Sequence, residues 1–194
     1  MPGIRRLLTS PYLTLISRLA LGGIFLLAGL TKLGVPAAFT ASINSYEMPL
    51  PAFLVQAMAV GLPVVELGLG IWLLVGLFTR FAAGVCAALL VVFLIALVQA
   101  AARGLSPDCG CFSGPNGNPL GLAVLHALGP LGTFLTGGEA DLPTVIRDLV
   151  FLSAALHLIF VPTVFSLDSW RARRSSAEYG AAAAEVSRQV GDRG

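Results

Sequence analysis

Asp108, Cys109, Gly110, Cys111 and Phe112 are the residues of this chain best suited to chemistry. Two cysteines one residue apart form either a redox couple or part of a metal site. A Cys-x-Cys disulfide closes a very small ring; such rings tend to be strained, and strained disulfides are more easily reduced. Gly110 relieves the backbone restriction at that turn. A labile disulfide suits exchange better than architecture, while the spacing alone leaves a static disulfide or two inert thiols open. For metal, zinc normally wants four ligands and soft thiolates also suit copper(I). Only His126 is near in sequence and there is no second cysteine pair, so no metal set is assigned. Cys86 lies about 16 residues, or roughly 24 Å, before the outer end of its apolar segment. That is too far from Cys109 for direct exchange, and Cys86 reads as a small buried hydrophobe.

What must position this pair is almost entirely apolar. The chain has 194 residues, 56% of them hydrophobic and 11% charged, with a net charge of +2 and a mean hydropathy of +0.86. A soluble domain carries about 25% charged residues. The deficit, together with apolar runs of about twenty residues, predicts an integral membrane protein in contact with lipid. There is no room for a large soluble active site. No basic cluster is interleaved with aromatics, so nucleic acid is not an expected partner.

The pattern predicts an all-α membrane protein, a bundle of four transmembrane helices over about 13–33, 52–78, 81–102 and 147–167. The first run follows Arg5 and Arg6 like a signal peptide, but it is too long and lacks a clear cleavage site, so it is read as a retained span. Gly22, Gly23 and Gly29 would let it approach a neighbour closely. Only Thr79 and Arg80 separate the second and third spans, which predicts a tight antiparallel hairpin; Arg103 and Gly104 close the third. The stretch 120–135 is too short for a full span and is expected to be interfacial or re-entrant. With four spans, Arg5, Arg6, Arg18, Arg80, Arg171, Arg173 and Arg174 fall on or near one side. The positive-inside rule then puts both termini in the cytoplasm and the Cys-Gly-Cys loop on the outer face of the inner membrane. Residues 1–170 form the membrane domain and 171–194 a polar cytoplasmic tail.

Three ionisable residues fall inside the spans: Arg18, Glu66 and His157. Charge within a bilayer is costly, so such groups face the bundle and find partners. Depth counting pairs Glu66 with Arg18 or with His157, either as a packing salt bridge or as a proton path or the polar wall of a quinone pocket. Lys32 either snorkels to the outer interface or pairs with Glu47. Tyr46 suits a headgroup-level position.

Several runs resemble the DoxX/MauE membrane proteins. They are Arg18-Leu-Ala-Leu-Gly, Ala28-Gly-Leu-Thr-Lys32, Phe39 with Ile43-Asn-Ser-Tyr46, Leu62-Pro63-Val-Val-Glu66, and Gly76-Leu-Phe-Thr-Arg80. Arg103-Gly104, Asp108-Cys-Gly-Cys-Phe112 and Ile146-Arg147-Asp148-Leu149 are similar to the MauE branch in particular. The resemblance covers about residues 13–165. It implies a four-helix membrane protein associated with periplasmic disulfide chemistry. In methylamine-utilisation clusters, that chemistry is maturation of the disulfide-rich small subunit of methylamine dehydrogenase. It brings Arg147 among the supporting residues and suggests a thioredoxin-like partner. The segment 113–142 departs from the pattern, because related sequences reach the last span sooner.

Three functions fit these features. The first is a membrane thiol–disulfide oxidoreductase exchanging through Cys109 and Cys111 with an extracytoplasmic thioredoxin-like or cysteine-rich client, with a quinone near Glu66 and His157 as electron acceptor. The second is a non-enzymatic assembly factor whose cysteines only brace the loop. The third is a transporter or metal-handling protein, for which four helices with few buried polar groups offer little pathway.

Overall fold

The computed structural model describes residues 10–105, 117–130, 132 and 142–161, with four further positions in the C-terminal tail. Asp108, Cys109, Gly110, Cys111 and Phe112, much of the 113–142 insert and most of 171–194 lie outside the described residues. Six helices are described: α1 (Pro11–Lys32), α2 (Pro36–Asn44), α3 (Ala52–Val75), α4 (Thr79–Ala102), α5 (Pro119–Ala127) and α6 (Leu142–Phe160).

Proline and glycine punctuate them, since proline fits the first helical turn and glycine the left-handed residue after the last. Pro11, Pro36 and Pro119 stand in the first turns of α1, α2 and α5. Gly76 (φ 75°) ends α3, and Gly34 and Gly104 are also left-handed just beyond α1 and α4. The connection from α3 to α4 is only 76–78, so the expected hairpin is present, although α4 packs more extensively on α6 than on α3.

Among the described residues α1, α3 and α4 are long and apolar enough to cross a membrane. Their outer surfaces carry large exposed apolar side chains, such as Ile16, Val60, Val64, Ile71, Val92 and Ile95. Water would penalise such a surface, and lipid would not. α1 is the hub. It packs along α3, and also touches α6, α5 and α2. The core joins Leu21 and Phe25 of α1, Leu69 and Leu73 of α3, Ala82, Cys86 and Leu90 of α4, and Ala155 and Leu158 of α6. Cys86 is fully buried here as a free thiol, as expected.

The α1–α3 contact is antiparallel and close. A Cβ at Gly70 would lie 2.6 Å from the Leu26 nitrogen and 2.9 Å from the Gly22 oxygen; at Gly29 it would lie 2.8 Å from the Pro63 oxygen. Gly22 and Gly29 thus serve the close contact predicted for them, whereas Gly23 faces open space. Gly70→Ala should therefore push backbone against backbone and destabilise the protein by about 1–3 kcal/mol. Gly68→Ala, on the open face of the same helix, should be neutral or gain up to ~1 kcal/mol from helix propensity. Paired thermal unfolding in detergent would separate the two.

The four long helices α1, α3, α4 and α6 alternate in direction. Gly22 of α1 meets Gly70 of α3 and Gly29 meets Pro63. The end of α4 lies beside the end of α2, because Arg103 donates to main-chain carbonyls of Tyr46 and Glu47. On α6, Phe151 packs near Ala28 and Leu125, while Leu158 packs with the core around Leu73 and Ala82. The start of α1 and the end of α6 therefore share one end of the bundle, and α2, the end of α4 and α5 share the other.

The last helix is described over Leu142–Phe160, so Arg147 and Asp148, which look like a boundary in sequence, lie buried inside it, while 162–167 of the expected span lie outside the described residues. Arg147 donates to Asp148 Oδ1 from both Nε and an Nη nitrogen at 3.2 Å. α5 has nine residues and a length of roughly 13 Å, too short to cross a bilayer.

Candidate functional site

The strongest polar feature is at the end of the bundle where α1 stops. Lys32 Nζ lies 2.7 Å from Glu66 Oε1 and 2.9 Å from Oε2, and the two side chains are 0% and 3% exposed. The Phe39 ring of α2 has its centroid 4.8 Å from the same ammonium, and the Phe93 ring of α4 lies at 5.6 Å. One cation is thus shared among four helices, with a carboxylate as counter-ion and two aromatic faces adding cation–π attraction.

Glu66 therefore pairs with Lys32, not with Arg18 or His157. Lys32 neither snorkels outward nor pairs with Glu47. The reason is geometric. A helical side chain leans toward its own N-terminus, so in antiparallel helices Lys32 leans inward from the end of α1 while Glu66 leans outward along α3. Arg18 is buried, but about 21 Å further back along α1. His157 lies on the part of α6 that faces the other end, and its buried Nε2 has no hydrogen-bond partner among the described residues. Both Glu66 oxygens accept hydrogen bonds from Lys32. Tyr46 is buried in protein, at 6% exposure.

The described residues on either side of the Cys-Gly-Cys motif are both fastened at this end. Arg103, just after α4, donates to the Glu47 carbonyl at 3.2 Å and to the Tyr46 carbonyl. Asn118, at the start of α5, donates its main-chain N–H to the Thr31 carbonyl at 2.6 Å. Its Nδ2 donates to the Leu33 carbonyl at 2.7 Å, while its Oδ1 accepts from the Leu120 N–H and caps α5. Gly121 makes this docking close, because a Cβ there would lie 2.8 Å from Thr31 Cα. Sequence reading missed Asn118 and underweighted Lys32; an Asn-Pro pair ahead of an apolar run was the available signal for the cap. Among the described residues no group of three His, Cys, Asp or Glu side chains could hold a metal ion.

Apolar helices of spanning length, closely packed through glycines and carrying a sealed ion pair, define a multi-pass helical membrane protein. The family model described as methylamine utilisation protein MauE matches residues 10–161, and the chain belongs to that family. It is similar to the methylamine utilization protein MauE of Methylophilus methylotrophus, 33% identical over 183 residues that cover 85% of this chain and 96% of that protein. To the methylamine utilization protein MauE of Paracoccus denitrificans it is 31% identical over 166 residues, covering 77% and 89%. No solved structure matches it.

Proposed function

We propose that this protein is an inner-membrane thiol–disulfide redox protein that supports disulfide formation or maturation of extracytoplasmic proteins through Cys109 and Cys111. The observation that carries this is the fastening of both flanks of the Cys-Gly-Cys segment, by Arg103 and by Asn118, to one end of the bundle. That end is opposite to the start of α1 and the end of α6. α6 supplies the fourth crossing: its 19 residues extend roughly 28 Å, and it turns Ile146, Leu149 and Val150 outward like the other three. Both termini are then cytoplasmic and the cysteines face the oxidising side, where disulfides persist.

The exchange balances without a bound cofactor. A client thiolate attacks one sulfur of the Cys109–Cys111 disulfide, forming a mixed disulfide and releasing the other cysteine as thiolate. The client's second thiolate then attacks its own sulfur in the mixed disulfide and frees the first cysteine. Two electrons and two protons pass from client to protein, and the reverse sequence runs with an oxidised thioredoxin-like partner. In the family's namesake setting the client is the disulfide-rich small subunit of methylamine dehydrogenase.

A membrane-impermeant maleimide added to intact cells tests side and state together. It should label Cys109 and Cys111 only after reductant is added. Labelling confined to permeabilised cells would reverse the topology, and full labelling without reductant would show that no disulfide exists.

A further inference from the structure

We infer that the outward face of α5 is an interface between two copies of this chain, closed by a hydrogen bond between their His126 side chains. Such pairing goes beyond the redox function and does not depend on it.

α5 runs down beside α1 into the bilayer instead of lying on its surface. Gly121 sits against Thr31, and one turn later Leu125 packs with Ala28, Ile24, Leu27 and Phe151. α5 therefore descends antiparallel to α1, and His126 lies roughly 7 Å below the level of Lys32. The turn that ends α5, with Gly129 left-handed at φ 56°, is deeper still. His126, Ala127, Leu128, Gly129 and Pro130 are all exposed. Irregular backbone at such depth is not left against lipid; it is covered by protein or lines water. Among the described residues, His126 is also the only exposed acidic or basic side chain between the levels of Arg80 and Arg103. An ionisable group inside a bilayer needs a partner.

A second copy is the occupant that supplies one. Two copies inserted in the same orientation are related by an axis along the membrane normal, so each residue meets what lies at its own depth in the partner. Near the depth of His126 the exposed side chains of α1, α3, α4 and α6 are apolar, such as Leu19, Val64, Val92 and Val150. The exception, Ser153, already donates its hydroxyl to the Val150 carbonyl. What answers an imidazole there is another imidazole. A neutral ring carries one donor and one acceptor nitrogen, so it complements its own copy. The surface around it suits the approach. Pro119, Ala123 and His126 are exposed on one stripe of α5, at the spacing of four and three by which helices pack side by side. Ala123 is small enough to let the two backbones come close.

The test uses the full-length chain, co-expressed with two different epitope tags and carrying the photo-reactive residue p-benzoylphenylalanine at one position. At Ala127, beside His126, irradiation of intact membranes should join the two tagged forms. At Val92, on the outward face of α4, it should not. In liposomes of graded protein-to-lipid ratio, single-molecule photobleaching then reads the dimer fraction. His126→Leu should weaken pairing on the order of tenfold, the value of a hydrogen bond between helices in a bilayer. His126→Asn keeps a donor and an acceptor and should stay within about threefold of the wild type, since the same class of bond remains. Adducts at Ala127 with lipid alone, or with a different protein alone, would overturn the proposal. So would pairing of His126→Leu within twofold of the wild type. If His126→Leu does not fold, the cross-link at Ala127 against Val92 decides by itself.

Discussion

Replacing Lys32 alone by methionine is expected to lower the unfolding free energy by about 3–5 kcal/mol, the range for leaving one partner of a buried pair uncompensated. Both oxygens of Glu66 take their hydrogen bonds from Lys32, and at 0% and 3% exposure neither side chain has water to fall back on. Stripped of the ammonium, the carboxylate would have to pick up a proton or drag water into the bundle. Adding Glu66→Met to the same chain should recover most of the loss, because two thioethers against Phe39 and Phe93 are compatible with an apolar site. Single and double variants thus form a cycle with a strongly non-additive term, readable by thermal unfolding in a mild detergent. A cost below about 1 kcal/mol for Lys32→Met would be the value of a solvated surface pair. It would mean that water reaches the site and that the ion pair does not organise this end of the bundle.

The same pair shows where sequence was a good guide and where it was not. Hydropathy located α1, α3 and α4 to within a few residues, because a run long enough to cross a bilayer has few other fates. It placed α6 about five residues late, since Arg147 and Asp148 read as a polar boundary. In the fold they neutralise one another inside the helix. The ionic partners were harder. Counting depth from span ends treats helices as parallel rods with level ends, which sets Lys32 at the rim and Glu66 at mid-depth. In the fold α3 begins beyond the end of α1, and α2 covers the overhang by packing Phe39 and Ile43 on Val55 and Ala59. That offset brings Glu66 within reach of Lys32. Close glycine contacts at Gly22, Gly29 and Gly70 help to set it, and a pairing of small residues on two helices cannot be read from either helix alone. Asn118 was missed for a related reason. Its cap on α5 is local, but its bonds to Thr31 and Leu33 span a separation of more than 80 residues.

Serine in place of Cys109 or Cys111 is expected to slow the cross-linking of a cysteine-rich client on the order of 100-fold, and either single variant should be nearly as damaging as both together, as for residues that act as a unit. The size of that loss does not by itself distinguish exchange from bracing, because either change also removes a brace. The covalent intermediate does. With one sulfur gone, the remaining thiolate can still attack an oxidised partner, but no neighbouring cysteine is left to release the adduct. A mixed disulfide should therefore accumulate on the variant that keeps the attacking cysteine, visible as a reductant-sensitive band on a non-reducing gel. The attacking sulfur is expected to be the one whose thiolate is more exposed, since nucleophilic attack needs both charge and access. A brace would give no adduct with either variant. Adducts with neither, combined with normal client cross-links in the double variant, would remove the cysteines from the function and leave the bundle with a purely non-covalent role.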